Sequence, residues 1–425
     1  MIRIKKFRRY LYQQFALLPG RNWIDGLSLL SRHLKSDTSF TRKGFLGFCL
    51  VTFMAFFIGC DREKEAPSGT DDTDKSITAE KALLLEEISP KDLHEASYYR
   101  QLDAEITECE LCFRRCVIED GAVGACLARI NISGILYTLT YGKPVAVYVD
   151  PLEKAPFLHV YPGSDALSLG TASCNLRCKN CINWQFAFKA PGEVEAVSMA
   201  PETVVQTALS RNIRAICFTY NEPTVQYEYM YDIAAAAKAE NMTVALHSNG
   251  MISPEPLEAL LPLVDAVVVD LKAFNDRLYR ELTGGELAPV LQTLQKVHKT
   301  TWLEIVCLLI PTVSDNLEDI EAMCRWISEN LGQEVPVHFS RFFPSARLTQ
   351  LPPTPVTLLE QACEIAENTG LKFVYINNIP GHDKTDTYCP ACAERIIHRR
   401  GLFIQENNID GSNCAFCGHE IAGIW

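Results

Sequence analysis

Short apolar runs alternate with segments of helical periodicity from residue 165 almost to the end of the chain. The strand-like runs lie at 166–172, 215–220, 243–248, 266–271, 303–310, 335–339 and 372–376. The helical patterns lie between them, at 201–211, 225–240, 254–262, 287–300, 315–331 and 355–369. Alternation of this kind specifies parallel strands joined by helical crossovers. We therefore predict an α/β fold whose core is an incomplete (β/α)6 TIM-like barrel.

Polar and metal-binding residues follow the ends of several predicted strands. In such barrels, chemistry gathers at the C-terminal ends of the strands. Any one of these groups alone could equally be a solvated loop or a helix cap, but together they predict a shared site at the barrel mouth. In strand order they are Cys174–Cys181, Thr219–Thr224, His247–Met251, Asp270 with Lys272, and His338 with Arg341.

Three cysteines, Cys174, Cys178 and Cys181, follow the first strand at the spacing C-x3-C-x2-C. A [4Fe–4S] cluster held entirely by protein takes four Cys ligands, so three leave one iron open to a substrate or cofactor. The alternative is a structural zinc site, which usually takes four ligands in two pairs. No further Cys or His follows until Cys217, which lies in an apolar run. The spacing therefore favours an iron–sulfur cluster.

This loop resembles the signature of the radical S-adenosylmethionine (radical SAM) superfamily. The resemblance implies that the open iron binds the amino and carboxylate groups of SAM, and that one electron cleaves SAM to methionine and a 5′-deoxyadenosyl radical. One departure is Asn180, where the family usually has an aromatic residue beside the adenine.

The same resemblance implies a set of SAM-binding residues. Tyr220-Asn-Glu222 stands where the family usually has a Gly-Gly-Glu segment that binds the amino group. Four further residues match positions that the glycyl-radical-activating branch uses around ribose and carboxylate, and we add His338 for its predicted place at the mouth. The cofactor-binding set is therefore Tyr220, Asn221, Glu222, Ser248, Asn249, Asp270, Lys272 and His338.

Two further cysteine groups flank the predicted barrel. Before it, a β-rich extension contains four cysteines around a glycine-containing turn, which suits either zinc or a closed iron–sulfur cluster: Cys109, Cys112, Cys116 and Cys126. After it, two C-x2-C pairs predict a zinc-ribbon-like tail, with rubredoxin-like iron as the alternative: Cys389, Cys392, Cys414 and Cys417. The remaining lone cysteines of the barrel region lie in apolar patterns and are predicted to be buried: Cys217, Cys307, Cys324 and Cys363.

Composition and charge narrow the functional classes. The chain has 425 residues, enough for two or three domains. Its net charge of −12 argues against general nucleic-acid binding, which needs a basic surface. Its 17 cysteines are mostly grouped at metal-ligand spacings rather than scattered as in a disulfide framework.

The N-terminal region has the pattern of a targeting segment. Residues 1–43 are rich in Lys and Arg, and the uncharged run Gly44–Gly59 ends at Cys60. This run suits a signal peptide, its end resembles a lipoprotein box, and Thr41–Leu46 resembles a twin-arginine export signal. We therefore expect a protein tethered to the membrane. The alternative is a buried helix or a mis-assigned start, with a cytoplasmic protein.

The pattern predicts five regions, and the resemblance implies that the fourth is a radical SAM core: a signal or anchor (1–60), an acidic linker (61–100), a Cys-rich extension (101–160), the core (161–380) and the tail (381–425). Residues 109–425 resemble the radical SAM enzyme of the AmmeMemoRadiSam system, which is related to pyruvate formate-lyase activating enzymes. The resemblance implies a [4Fe–4S] cluster, SAM, a low-potential electron donor, and hydrogen abstraction from an unidentified substrate, with a protein glycine as one candidate. The alternative is an iron–sulfur electron carrier or scaffold without SAM chemistry.

Overall fold

The computed structural model describes residues 93–102 and 105–425. The predicted signal and tether, and most of the acidic linker, lie outside these residues. Across the part that is described, no helix has both the length and the apolar character needed to cross a bilayer.

The first described region consists of two small antiparallel sheets. One has the strand order β1-β6-β5 and the other β2-β3-β4. Cys109 ends β3, Cys112 and Cys116 lie in the turn before β4, and Cys126 precedes β5. The strands are β1 (His94–Glu95), β2 (Tyr99–Gln101), β3 (Thr107–Cys109), β4 (Val117–Ile118), β5 (Arg129–Ile132) and β6 (Ile135–Thr138).

The centre of the protein is a sheet of eight strands in the order β14-β13-β12-β11-β10-β9-β8-β7. Strands β8 to β14 are parallel, whereas β7 pairs antiparallel with β8 at the edge. The α/β prediction is confirmed. The strands are β7 (Ala146–Pro151), β8 (Asp165–Gly170), β9 (Ala215–Phe218), β10 (Thr243–Ser248), β11 (Ala266–Asp270), β12 (Trp302–Leu309), β13 (Val337–Arg341) and β14 (Val374–Asn377).

Helices follow six of the parallel strands, and β14 adds a seventh strand after the sixth strand–helix unit. The sequence pattern missed the helix α5 (Asp276–Thr283), because this segment is strongly charged and carries few apolar positions. Asn275 caps its start by accepting a hydrogen bond from the Leu278 amide, and Gly284 ends it at φ +70°. The helices are α1 (Trp184–Ala187), α2 (Pro201–Ser210), α3 (Tyr227–Ala239), α4 (Pro254–Leu260), α5 (Asp276–Thr283), α6 (Leu287–His298), α7 (Leu317–Asn330) and α8 (Val356–Asn368).

The sheet is curled, although its two edge strands, β7 and β14, do not pair with each other. At the C-terminal ends of the strands, the Arg347 amide after β13 donates to the Lys179 carbonyl after β8 at 2.9 Å. At the opposite end, the amides of Leu158 and His159, before β8, donate to the Glu304 carboxylate on β12 at 3.1 and 3.0 Å. Both contacts join strands that are not neighbours in the sheet, so the strands must wrap around a common interior.

The two faces of the sheet bury different side chains. The outer face packs large aliphatic residues such as Leu167, Ile216 and Leu246 against the helices. The inner face carries smaller ones, among them Cys217 and Val268. The prediction that the lone cysteines are buried is confirmed for Cys217, Cys307, Cys324 and Cys363.

A C-terminal region covers the N-terminal ends of the barrel strands. The Ile424 amide donates to the His159 carbonyl, and Arg399 donates to the Leu158 carbonyl at 2.8 Å. This region therefore seals the end of the barrel opposite the cysteine loop. Its strands are β15 (Thr387–Tyr388), β16 (Arg395–Arg400), β17 (Phe403–Asn407), β18 (Ile409–Asp410) and β19 (Asn413–Cys414).

Candidate active site

The loop with Cys174, Cys178 and Cys181 begins after β8 and rests on the end of α5. The amides of Arg177 and Lys179 donate to the carbonyls of Thr283 and Leu282 at 2.8 and 2.9 Å. The helix that the sequence pattern missed therefore supports the backbone of the cysteine loop.

Asn221 fixes the start of the same loop. Its side-chain nitrogen donates to the Ser173 carbonyl at 2.7 Å, and its side-chain oxygen accepts from the Thr171 amide at 3.2 Å. Ser173 has φ +80°, a left-handed conformation that turns the chain immediately before Cys174. Both polar atoms of Asn221 are engaged in holding this turn, so its role here is to position the loop.

The donor set of the loop fits a cluster with an open site. The three thiols are free, and burial raises the pKa of Cys181 to about 11 and the pKa values of Cys174 and Cys178 as well. Buried thiols of this kind become ligands when a metal displaces their protons. The side-chain oxygen of Asn180 is buried and has no hydrogen-bond partner among the described residues. A polar group of a ligand beside the third cysteine would satisfy it.

Glu222 ties the ends of two neighbouring strands together. Its side chain is buried, and one carboxylate oxygen accepts from the Thr224 hydroxyl at 2.6 Å and the Ser248 hydroxyl at 2.8 Å. The other oxygen accepts from the Asn249 amide at 2.7 Å. Both oxygens thus help to orient the end of β10 and the residue after it, the predicted SAM-binding residues Ser248 and Asn249.

Asn249 brings that segment to the cysteine loop. Its side-chain nitrogen donates to the Asn175 side-chain oxygen at 2.8 Å and lies 3.9 Å from the Cys174 sulfur. The Asn175 side-chain nitrogen in turn donates to the Met251 carbonyl at 2.8 Å. Asn175 was missed by sequence reasoning, and its only signal was its position directly after the first cysteine.

Asp270, the last residue of β11, contacts the side chains of His247 and Lys272. One of its oxygens lies 3.0 Å from His247 Nε2, and the other accepts from Lys272 Nζ at 2.8 Å. Burial alone would raise the pKa of Asp270, but the neighbouring Lys272 and His247 outweigh burial and hold that pKa well below its ordinary value. Burial alone would lower the pKa of Lys272, but attraction to Asp270, and to a smaller extent to Cys178, outweighs burial and raises that pKa. An ionised, partly exposed pair therefore lies within electrostatic reach of the cysteine loop.

Tyr220 extends along the barrel interior towards its edge. Its hydroxyl donates to the Asp150 carboxylate on β7, and its ring lies at 89° to Tyr148 with centroids 6.0 Å apart. Its backbone carbonyl accepts a hydrogen bond from Asn183, just after the third cysteine. The backbone of Tyr220 therefore belongs to the mouth, whereas its side chain lines the edge of the interior.

The structure corrects the predicted placement of His338. This side chain is fully buried, and its Nε2 lies 2.8 Å from the carboxylate of Glu304. Its ring stacks on Tyr375, whose hydroxyl lies 2.6 Å from His159 Nε2. His338 therefore joins the polar cluster that seals the closed end of the barrel. The sequence analysis placed His338 at the mouth because it lies on a barrel strand, but its position early in β13 (Val337–Arg341) puts it at the opposite end.

Comparisons with known proteins agree with this site. The sequence profile of the Radical SAM superfamily matches residues 169–327. An uncharacterized protein of Methanocaldococcus jannaschii is 40% identical over 332 residues, which cover 77% of this chain and 99% of that protein. A second protein of that organism, named as a glycyl-radical enzyme activating enzyme, is 27% identical over 170 residues, covering 39% of this chain and 64% of that protein.

Among solved structures, a domain of a pyruvate-formate lyase-activating enzyme from Bacteroides vulgatus matches with a TM-score of 0.35 and 14% identity. The match covers 38% of this chain and 98% of that domain. The matched profile spans the cysteine loop and the segments after β9, β10 and β11, where the candidate site lies. The chain belongs to the radical SAM superfamily and is an enzyme that cleaves S-adenosylmethionine reductively to generate a radical.

Proposed function

We propose that this enzyme abstracts hydrogen from a glycine of a partner protein, as the names of its relatives suggest for them. When bound, the cluster and SAM supply a 5′-deoxyadenosyl radical, with the electron coming from a low-potential one-electron donor. Cys174, Cys178 and Cys181 would hold the cluster. Asn249 and the pair formed by Asp270 and Lys272 would contact SAM, while Asn221 and Glu222 position the segments that carry these groups.

Substitution of Asp270 tests the SAM contacts. We expect Asp270→Ala to weaken SAM binding about tenfold or more, because it releases Lys272 and His247 and removes charge-assisted hydrogen bonds of about 1.5–3 kcal/mol. Isothermal titration of the anaerobic, reconstituted protein measures the affinity. The visible absorption of the cluster should be retained. Wild-type affinity in Asp270→Ala would remove this residue from the SAM site.

The observation that carries the proposed substrate class is exposed apolar surface beside the third cysteine. Ile182 is 69% exposed and Trp184 is 42% exposed, although both are large apolar residues. Phe343, 46% exposed, lies in the loop after β13, and Ser345 of that loop donates to the Cys181 carbonyl at 3.1 Å. Exposed apolar groups gathered in this way are typical of surfaces that bind another protein.

Isotope transfer tests the glycine directly. The enzyme is incubated anaerobically with SAM, dithionite and protein extract from its producing organism grown on glycine deuterated at the α-carbon. We expect deuterium in the 5′-deoxyadenosine, seen by mass spectrometry, and a glycyl-radical signal by electron paramagnetic resonance. We further expect Trp184→Ala to lower deuterium transfer per 5′-deoxyadenosine about tenfold, because a central aromatic anchor commonly contributes 2 kcal/mol or more to a protein interface.

The matched control is Phe403→Ala, which removes an aromatic residue that is 57% exposed on the tail. It should transfer deuterium as the wild type does. If 5′-deoxyadenosine forms in the presence of labelled extract but stays free of deuterium, the hydrogen comes from another group and the glycine proposal fails. Equal loss in Phe403→Ala would show that the effect of Trp184→Ala is not specific to the mouth.

We also propose that the tail binds one zinc ion. The sulfurs of Cys389 and Cys417 lie 3.6 Å apart, and those of Cys392 and Cys414 lie 3.8 Å apart. All four sulfurs lie within 4.8 Å of one another. Zn–S bonds of about 2.3 Å in a tetrahedron place sulfurs at about this spacing, which supports a single ion. Rubredoxin-like iron would use the same four ligands.

For location, we propose a membrane tether through Cys60 or through the apolar run 44–59. The support is the charge pattern of the sequence, with basic residues before the run and acidic residues after it. A lipoprotein anchor would carry several acyl chains, since one alone binds a membrane only weakly.

A further inference from the structure

The four cysteines of the N-terminal extension line one cavity. Cys109, Cys112, Cys116 and Cys126 surround it together with Arg129 and Asn175. The cavity is small and partly open to solvent. Four free thiols from three different parts of the extension meet here, and none of them belongs to the radical SAM cysteine loop.

The spacing of these sulfurs differs from that in the tail. Within residues 93–102 and 105–425, the tail is the only group of three or more metal-binding side chains whose ligand atoms all lie within 4.8 Å of one another. The sulfurs of the extension are spread more widely around their cavity. A single tetrahedral ion requires the tighter spacing. A polynuclear iron–sulfur cluster, whose cysteines bind different iron atoms, fits the wider one.

A buried cation faces the same cavity. Arg129 is only 1% exposed, and its Nη1 lies 3.6 Å from the Cys109 sulfur. Its Nη2 pairs with the carboxylate of Glu228. Its Nε is buried without a hydrogen-bond partner among the described residues. An anionic thiolate cluster in the cavity would provide the acceptor that Nε lacks and would add negative charge beside the guanidinium.

The cavity adjoins the cysteine loop of the radical SAM site. Arg114 of the extension donates to the Asn175 carbonyl, and Arg177 of the loop donates to the Ala125 carbonyl, next to Cys126, at 2.8 Å. Asn175 lines the cavity, and its side-chain oxygen lies 4.0 Å from the Cys174 sulfur. One side chain therefore separates the two sets of cysteines.

We propose that Cys109, Cys112, Cys116 and Cys126 hold a second iron–sulfur cluster, fully ligated by protein and adjacent to the SAM-binding cluster. This inference goes beyond the proposed function and does not depend on the identity of the substrate. It assigns the extension to iron–sulfur chemistry rather than to zinc.

Metal content tests the site without any activity measurement. The full chain, reconstituted anaerobically with iron and sulfide, is compared with Cys112→Ala/Cys116→Ala. Both residues lie in the turn between β3 and β4, and a double substitution is needed because three cysteines alone can retain a cluster. We expect the variant to lose about four iron and four sulfide ions per chain, or about two of each for a two-iron cluster. The tail metal and far-ultraviolet circular dichroism should be unchanged.

Two variants serve as controls. Cys324→Ala removes a buried cysteine outside every group and should retain all iron, whereas Cys178→Ala should lose the SAM-binding cluster but keep the second one. Equal iron in the wild type and the double variant overturns the proposal. The proposal is also overturned if the double variant loses zinc, rather than iron, relative to the wild type. If the double variant fails to fold, Cys178→Ala still tests the proposal. This variant should retain the iron and sulfide bound by the extension, and a Cys178→Ala protein without iron would overturn the proposal.

Electron paramagnetic resonance tests adjacency. In the dithionite-reduced wild type, two paramagnetic clusters separated by one side chain should broaden each other's signals through spin–spin coupling. Cys178→Ala and the double variant should each give a narrow, uncoupled signal. An uncoupled wild-type spectrum containing two signals would show that the clusters are far apart, contrary to the proposed position.

Discussion

Alanine at any one of Cys174, Cys178 or Cys181 is expected to abolish formation of 5′-deoxyadenosine from SAM. Two thiolates cannot hold a four-iron cluster that also keeps one iron open to SAM. We expect no detectable product, since residues 174–181 contain no other Cys, His, Asp or Glu that could replace the lost ligand. Anaerobic incubation with dithionite and SAM, followed by liquid chromatography with mass spectrometry, measures the product.

Cys363→Ala is the matched control for these variants. Cys363 is a free thiol on α8, 1% exposed, and it packs against the outer core rather than near the loop. The control should form 5′-deoxyadenosine at the wild-type rate. Product formation above background in Cys174→Ala, Cys178→Ala or Cys181→Ala would exclude that residue as a ligand.

The second large effect is expected at Glu304, far from the cysteine loop. Its fully buried carboxylate accepts hydrogen bonds from the amides of Leu158 and His159 and from Trp302 Nε1, and it lies 2.8 Å from His338 Nε2. Glu304→Ala would leave these donors buried without a partner. We expect a loss of about 3–5 kcal/mol in the free energy of unfolding, as for other broken buried pairs. Denaturant titration of the reconstituted protein measures it.

An exposed carboxylate provides the comparison. Glu321 pairs with Arg325 one turn along α7, with its side chain 51% exposed, and Glu321→Ala should change the free energy of unfolding by less than about 0.5 kcal/mol. Glu304→Gln, which keeps one acceptor oxygen, should lower the free energy of unfolding by an amount between those of Glu304→Ala and Glu321→Ala. A Glu304→Ala variant as stable as Glu321→Ala would show that the closed end of the barrel does not depend on this carboxylate.

The sequence predicts the order and type of the barrel elements well, because each strand is an apolar run and most helices have a wide apolar face. The prediction for residues 243–248 coincides with β10, and most other elements differ by one to three residues at their ends. The antiparallel pairing of β7 with β8 was not predicted, since strand periodicity does not reveal which neighbour a strand joins. Helix α5 was missed because its charged sequence is stabilised by its caps and by the loop that packs on it.

Side-chain roles within the site were harder to predict than positions. Cysteine spacing identifies the cluster loop because ligand geometry directly constrains the spacing. Asn221 and Glu222 come from the right strand end, but their polar atoms bind Ser173 and Asn249, contacts that depend on how separate strand ends meet. His338 shows the same limit, since its partner Glu304 lies 34 residues away in the chain.

The way in which the barrel closes has a consequence for substrate access. Edge strands β7 and β14 share no ladder, and across the mouth the loops after β8 and β13 are joined by the Arg347–Lys179 and Ser345–Cys181 contacts. Separating these loops would break isolated hydrogen bonds of about 1 kcal/mol each, not a row of strand pairs. The side of the barrel between β7 and β14 can thus open transiently while its parallel strands stay paired. A bulky substrate, such as the partner protein proposed above, would reach the reaction centre through this seam without any unfolding of the sheet.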